Sequence, residues 1–248
     1  MRKLITALLL AVTPSLVLAA GGGVKLDHAN IDVSNKEAIQ RGAQTFVNYC
    51  LSCHAAGYMR YNRLGADADI SDDQLKANMI FTRNKKGEQT KVGELMKVAM
   101  NDDYAKEAFG TKIPDLTVIS RSRGADWLYT YLRTFYADPS RPTGHNNKAF
   151  PDVGMPNVLW ELQGVQEAEI RVDENGTKHV EKLTITQPGT HTVAEFDQVV
   201  NDLVTYLVYM GEPMQLERKT IGFWTLIFLF IFFIVAYMLK KEYWKDVH

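Results

Sequence analysis

Residues 48–65 read NYCLSCHAAGYMRYNRLG, and this stretch holds both cysteines of a 248-residue chain, Cys50 and Cys53, with His54 directly behind them. Two thiols at this spacing admit three readings. A disulfide is the first, yet cysteines at i and i+3 close a small strained loop that seldom serves as a staple. A zinc centre is the second, and it needs four ligands. No third cysteine exists, and His28, His145, His179, His191 and His248 form no paired cluster. The third is C-x-x-C-H, the attachment signature of a c-type haem. Its spacing has a physical reason: the two thiols reach the two vinyl groups on one edge of the porphyrin, and the adjacent imidazole comes up beneath the iron. On this reading the chain carries one covalently attached haem c, with Cys50 and Cys53 as the attachment points and His54 as the proximal ligand.

The two ends of the chain place that motif outside the cytoplasm. Residues 1–23, MRKLITALLLAVTPSLVLAAGGG, put Arg2 and Lys3 before an apolar run that closes on Ala19 and Ala20. This is the layout of a secretory signal peptide, with an uncleaved N-terminal anchor as its alternative. Residues 221–239, IGFWTLIFLFIFFIVAYML, carry no charge; as a helix they run about 28 Å, against a hydrocarbon core of ~30 Å. Basic residues flank this span on both sides, so orientation follows from the signal segment rather than from positive charge. The expected organisation is a signal peptide over 1–20, an exported domain over 21–218, a transmembrane anchor over 219–240 and a cytoplasmic tail over 241–248. Composition between these ends is that of a globular protein, with formal net charge −1, and no basic excess points to nucleic acid.

Working outward from the motif, SNKEAIQRGAQTFVNYC predicts a helix opened by a Ser34/Glu37 capping box, with Ile39, Ala43, Phe46, Val47 and Cys50 on one face. SDDQLKANMIF, TKVGELMKVAM and GADWLYTYLRTFYAD predict further helices. AEIRVDENGTKHVEKLTI differs: Asn175-Gly176 divides two partly alternating runs, the pattern of a β-hairpin. TVAEFDQVVNDLVTYLVYMGEP predicts a long helix with a Thr192/Glu195 capping box and a stop at Gly211 and Pro213, able to cross the first helix near Gly42. The fold class is therefore mainly α with an inserted hairpin, and LERK, residues 216–219, is the expected linker to the membrane.

What the iron can do depends on its second axial position. Met155, in FPDVGMPNVLW, is the leading candidate, because it sits on a Gly/Pro-rich loop without helical periodicity, as a strap across the distal face requires. His145 is the alternative. A thioether is soft and neutral, so it favours Fe(II) and implies a high-potential one-electron carrier. An open iron site would instead suit a peroxidase or small-molecule reductase, and no His or Arg stands beside Met155 to serve one.

Four stretches, VNYCLSCHAAGYMRYNRL, AFGTKIPDLTVISRSRGADWLYTYL, GMPNVLW and YLVYMGEPMQLERKTIGFW, resemble the cytochrome c1 family in its bacterial form, from about residue 36 onward. The resemblance implies a class-I cytochrome c-like fold and a place in the quinol:cytochrome c reductase (cytochrome bc1) complex, with no active site of the chain's own. It implies cytochrome b, a Rieske iron-sulfur protein and a cytochrome c acceptor as partners, and a single-pass location in a bacterial inner membrane with the haem domain in the periplasm. It also implies roles by position: Pro114 backs His54, and Arg121 lies near a haem propionate, with Arg123 as a rival. Two departures from the family pattern stand out. The strap reads G-M-P-N rather than a multi-proline form, and there is no extra cysteine pair. Glu161, Glu167, Glu169, Asp173 and Glu174 form an acidic region suited to steering a basic partner.

Overall fold

The computed structural model describes residues 24–84, 86–98 and 100–247. The expected signal peptide, 1–20, lies outside the described residues. In chain order the helices are α1 (Lys36–Tyr49), α2 (Tyr61–Asp67), α3 (Asp72–Asn78), α4 (Asp102–Phe109), α5 (Ile119–Arg123), α6 (Ala125–Arg133), α7 (Trp160–Gln163), α8 (Val193–Gly211) and α9 (Gln215–Tyr243). The strands are β1 (Ala56–Arg60), β2 (Leu95–Met96), β3 (Phe135–Ala137), β4 (His145–Asn147), β5 (Gly164–Val172) and β6 (Lys178–Pro188). They pair as three separate antiparallel ribbons, β1 with β2, β3 with β4 and β5 with β6.

The core forms where α1 crosses α8. Ile39, Ala43, Phe46 and Val47 of α1 are buried against Val200, Leu203, Tyr206 and Leu207 of α8, the larger aliphatic side chains and Phe46 contributing roughly 1.5–3 kcal/mol each by leaving water. Phe46 and Tyr206 meet with ring centroids 5.4 Å apart. The crossing is close because Gly42 carries no side chain: a Cβ there would stand 2.0 Å from the Asp202 carbonyl oxygen. Beside it, Arg41 Nε donates to the buried Asp202 carboxylate at 2.6 Å, and Gln198 Nε2 adds a bond of 2.9 Å. A buried carboxylate needs such partners, since desolvation otherwise costs more than the fold can carry.

Four expectations change in the folded chain. The cap of α1 is Asn35, whose Oδ1 accepts from Ala38 N at 2.9 Å. Ser34 turns back instead, its backbone N and Oγ both donating to Asp32 Oδ1. Residues 90–98 and 100, the described part of TKVGELMKVAM, form no helix. Tyr61 N and Asn62 N, at the start of α2, donate to Glu94 O and Val92 O, and Leu95–Met96 pairs with β1. These long-range bonds take the carbonyls a helix would have used, while Val92 and Met96 still bury their apolar side chains. The aromatic helix ends at Arg133, and Phe135–Ala137 continues as a strand. Two side-chain amides cap its end: Gln163 Nε2 and Gln166 Nε2 donate to Arg133 O at 2.8 and 2.9 Å. Finally, LERK is not an irregular linker. It falls within the first two turns of the 29-residue α9, leaving only residues 212–214 between α8 and a helix long and apolar enough to cross a membrane once. Glu212 spans that break, paired with Arg218 on one side and 3.7 Å from Arg121 on the other.

The hairpin and the Thr192/Glu195 box match their expected positions. Gly176 takes φ 80° in the turn, and Thr192 Oγ1 accepts from Glu195 N while the Glu195 carboxylate accepts from Thr192 N.

Candidate functional site

Helix α1 ends where the motif begins. Cys50 N still donates to Phe46 O, and then Cys53 N and His54 N both fold back onto Cys50 O, at 3.0 and 2.8 Å. This tight turn delivers two thiols and an imidazole to one place. Both thiols are free, Cys50 buried and Cys53 half-buried. Burial, reinforced by the neighbouring Cys53, pushes the Cys50 thiol up to about 12. Among the described residues no three His, Cys, Asp or Glu side chains group as a metal-binding cluster.

His54 Nδ1 lies 2.8 Å from Pro114 O. A carbonyl can only accept, so Nδ1 carries the proton and Nε2 keeps its lone pair. Burial holds this imidazole below its ordinary range, while the Pro114 bond and the Asp115 carboxylate pull the other way. The result is a neutral ring, oriented from behind by a backbone carbonyl, as ligating histidines usually are.

The loop that supplies Pro114 is itself pinned. Leu116 N donates to Ala55 O at 2.9 Å, and Asp115 gathers Gly57 N, Thr117 N and Thr117 Oγ1 at 2.7, 2.8 and 2.5 Å. Asp115→Ala removes all three and is expected to cost about 1–2 kcal/mol locally. Hydrogen exchange at the Gly57 and Thr117 amides checks this, with roughly 5–30-fold faster exchange expected at both.

Cys50, His54, Pro114 and Met155 line one cavity of about 340 Å³, continued by an adjoining one of about 90 Å³ that also reaches Cys53. Leu128, Leu132, Val153 and Leu207 make the larger wall apolar. Met155 sits on the segment after β4, where Gly154 packs against Phe109 O. Polar clamps hold the segment on both sides of Met155. Arg141 binds Asp152 through both its side chain and its carbonyl, at 3.0 and 2.8 Å, and Asp152 N donates to Asn146 Oδ1 at 2.9 Å. Asn157 Oδ1 holds Leu159 N at 3.2 Å on the far side.

Other sequence-derived candidates fall elsewhere. His145 Nδ1 donates to Thr143 O at 2.9 Å, and the ring lines neither part of the crevice. Arg121 faces Glu212 and lines neither part either. Arg123 does line the crevice, its guanidinium 4.9 Å from the Trp127 ring and 5.8 Å from that of Phe150. In the acidic region Asp173 Oδ2 lies 2.9 Å from His179 Nε2, and Glu169 pairs with Lys182, so the lysine offsets part of the hairpin's charge. Trp127 and Tyr131 were missed as site residues; their i, i+4 spacing, which puts two large aromatics on one helix face, was the available signal. A larger hollow of about 600 Å³ beside β3, β4 and the hairpin is lined mainly by polar residues and includes no cysteine or methionine.

The donor set fits a c-type haem. Two free thiols end a helix, an imidazole keeps Nε2 unprotonated, a thioether shares the crevice, and the enclosed volume falls in the range of ligand sites, roughly 300–1,000 Å³. Residues 28–247 match the cytochrome c1 family. Cytochrome c1 of Allochromatium vinosum is 48% identical over 250 residues, spanning 100% of both chains. The ammonia monooxygenase gamma subunit of Nitrosomonas europaea is also 48% identical, over 99% of this chain and 100% of its own. Cytochrome c1 of Rhodospirillum rubrum is 24% identical over 95% of this chain and 96% of its own. With the attachment motif, the crevice and near-complete coverage in agreement, the chain belongs to the cytochrome c1 family, the haem electron-transfer subunits of the cytochrome bc1 oxidoreductase complex.

Proposed function

We propose that this chain holds one haem covalently through Cys50 and Cys53, with His54 and Met155 as axial ligands, and relays single electrons from a Rieske iron-sulfur protein to a cytochrome c. The observation that carries the reading is the convergence of these four side chains on one apolar crevice. When bound, the haem supplies a one-electron couple. The chain's own residues set its conditions. Pro114 O holds the His54 ring by its Nδ1 proton, so Nε2 stays available to a metal. Met155 offers a neutral, soft donor, which favours the reduced state. Leucines and Val153 exclude water from the crevice, and Arg123 brings a cation to its edge, suited to the propionate carboxylates by its planar fork. Arg121, already beside Glu212, takes the role at the junction with α9 instead.

Helix α9 supports a single-pass anchor, and the signal-like residues 1–20 support placement of the haem domain on the periplasmic side of a bacterial inner membrane. Cytochrome b then borders α9, and the short junction at 212–214 holds the haem domain near the membrane surface. Purification from membranes tests the assignment. Co-isolation with a cytochrome b and a Rieske protein, and reduction of the haem by quinol in that preparation, is the expected result. Recovery with a monooxygenase, the assembly named for the Nitrosomonas europaea relative, or with an oxidase core, overturns it.

A further inference from the structure

Tyr131 stands on α6 with its hydroxyl 3.3 Å from Met155 Sδ. An O–H beside a thioether can only donate, and a thioether is a weak acceptor, so few hydroxyls are committed to one. This one is held in place on several sides. Trp127 stacks on the ring at 4.9 Å and 10°, and Phe135 meets it edge-on at 5.1 Å and 68°. The Tyr131 carbonyl accepts from Asn147 Nδ2 at 2.8 Å. The donor is therefore fixed by a helix and two rings, whereas its acceptor lies on a loop. Among the described residues the hydroxyl has no second hydrogen-bond partner.

We propose that Tyr131 is a positioning residue for Met155, occupying one sulfur lone pair so that the other serves the iron, and withdrawing electron density so that Fe(II) is favoured. This rests on Met155 as an axial ligand. The sulfur has two lone pairs, and a donor fixed on one restricts how the side chain turns. Density drawn toward the hydroxyl makes the thioether a poorer donor to Fe(III), the state that needs donation more. Loss of the hydroxyl then stabilises Fe(III) and lowers the reduction potential, although the ligand stays the same.

The test uses the full chain in its purified membrane complex. Tyr131→Phe keeps the ring, its stacking and the helix, and removes only the donor. At the ambient potential where the native haem is half reduced, the reduced-to-oxidised ratio is expected to fall about tenfold, equivalent to ~59 mV for one electron. The weak red-edge absorbance band of methionine-ligated ferric haem should persist. Tyr129→Phe, on the same helix but with its ring under Arg133 at 4.6 Å, should leave the potential unchanged. An unshifted potential in Tyr131→Phe with the band intact overturns the role of Tyr131 and leaves Met155 as ligand. A Met155→Ala variant that keeps both the band and the potential overturns the ligand assignment itself, and the inference with it.

Discussion

Replacing both Cys50 and Cys53 with alanine is expected to abolish covalent haem entirely in protein exported by cells competent in cytochrome maturation. In the proposed attachment each thiol would add across one vinyl group to form a thioether, and the chain has no other cysteine to substitute. His54 would remain, held by Pro114 O, but a ligand bond and apolar contact are reversible under denaturation. Haem staining after denaturing electrophoresis and intact mass are the measurements, and the whole increment of one haem should vanish. Single variants should keep one thioether and so retain colour on the gel. Native-like stability should fall as well, because without haem the apolar crevice lined by Leu128, Leu132, Val153 and Leu207 is left unfilled and its lining loses packing contacts. A double variant that still carries haem through denaturation would refute the attachment.

The second large effect is structural and lies away from the iron. Gly42→Ala introduces a Cβ 2.0 Å from Asp202 O and 2.8 Å from Tyr206 Cβ. The first contact is with helix backbone, which cannot rotate away as a flexible side chain would. Alanine's better helix propensity returns about 1 kcal/mol, while overpacking costs 1–3 kcal/mol and here more, because α1 and α8 must part along the whole crossing. A net loss of roughly 3 kcal/mol is expected, equivalent to a melting midpoint lowered by about 6–12 °C for a domain of this size. Thermal unfolding followed by far-UV circular dichroism checks it. Moving α1 also displaces Cys50 at its end, so the same variant should mature less haem. An unchanged midpoint would show that the crossing is looser than the contact distances imply.

Helices α1, α3 and α8 and the β5–β6 hairpin were legible in sequence because their signals are local: caps, 3.6-residue periodicity, an Asn-Gly turn. The misreadings share a cause. TKVGELMKVAM has a helical apolar pattern, yet α2, some thirty residues earlier, uses its carbonyls, and a window of sequence contains no information about that competitor. Asn35 displaced Ser34 as the cap because Asp32 captured the serine first, a contest between hydrogen bonds of similar reach. LERK, expected as the linker before the apolar span, lies within α9, and four residues inside a helix follow the helix they belong to. Arg121 and Arg123 could not be ranked by sequence, since two residues along a helix point in different directions and only packing decides which meets the crevice.

By itself the sequence determined the chemistry this protein can perform. The thiols, the imidazole and a helix long and apolar enough to cross a membrane are matters of residue type and spacing, legible wherever they lie in the fold. Only the tertiary structure decided which side chains surround the crevice. Tyr131 reaches Met155 across 24 residues, and His54 reaches Pro114 across 60. Such contacts exist because α1 and α8 close to glycine distance and bring separate loops together, and non-local packing of that kind leaves no periodic trace along the chain.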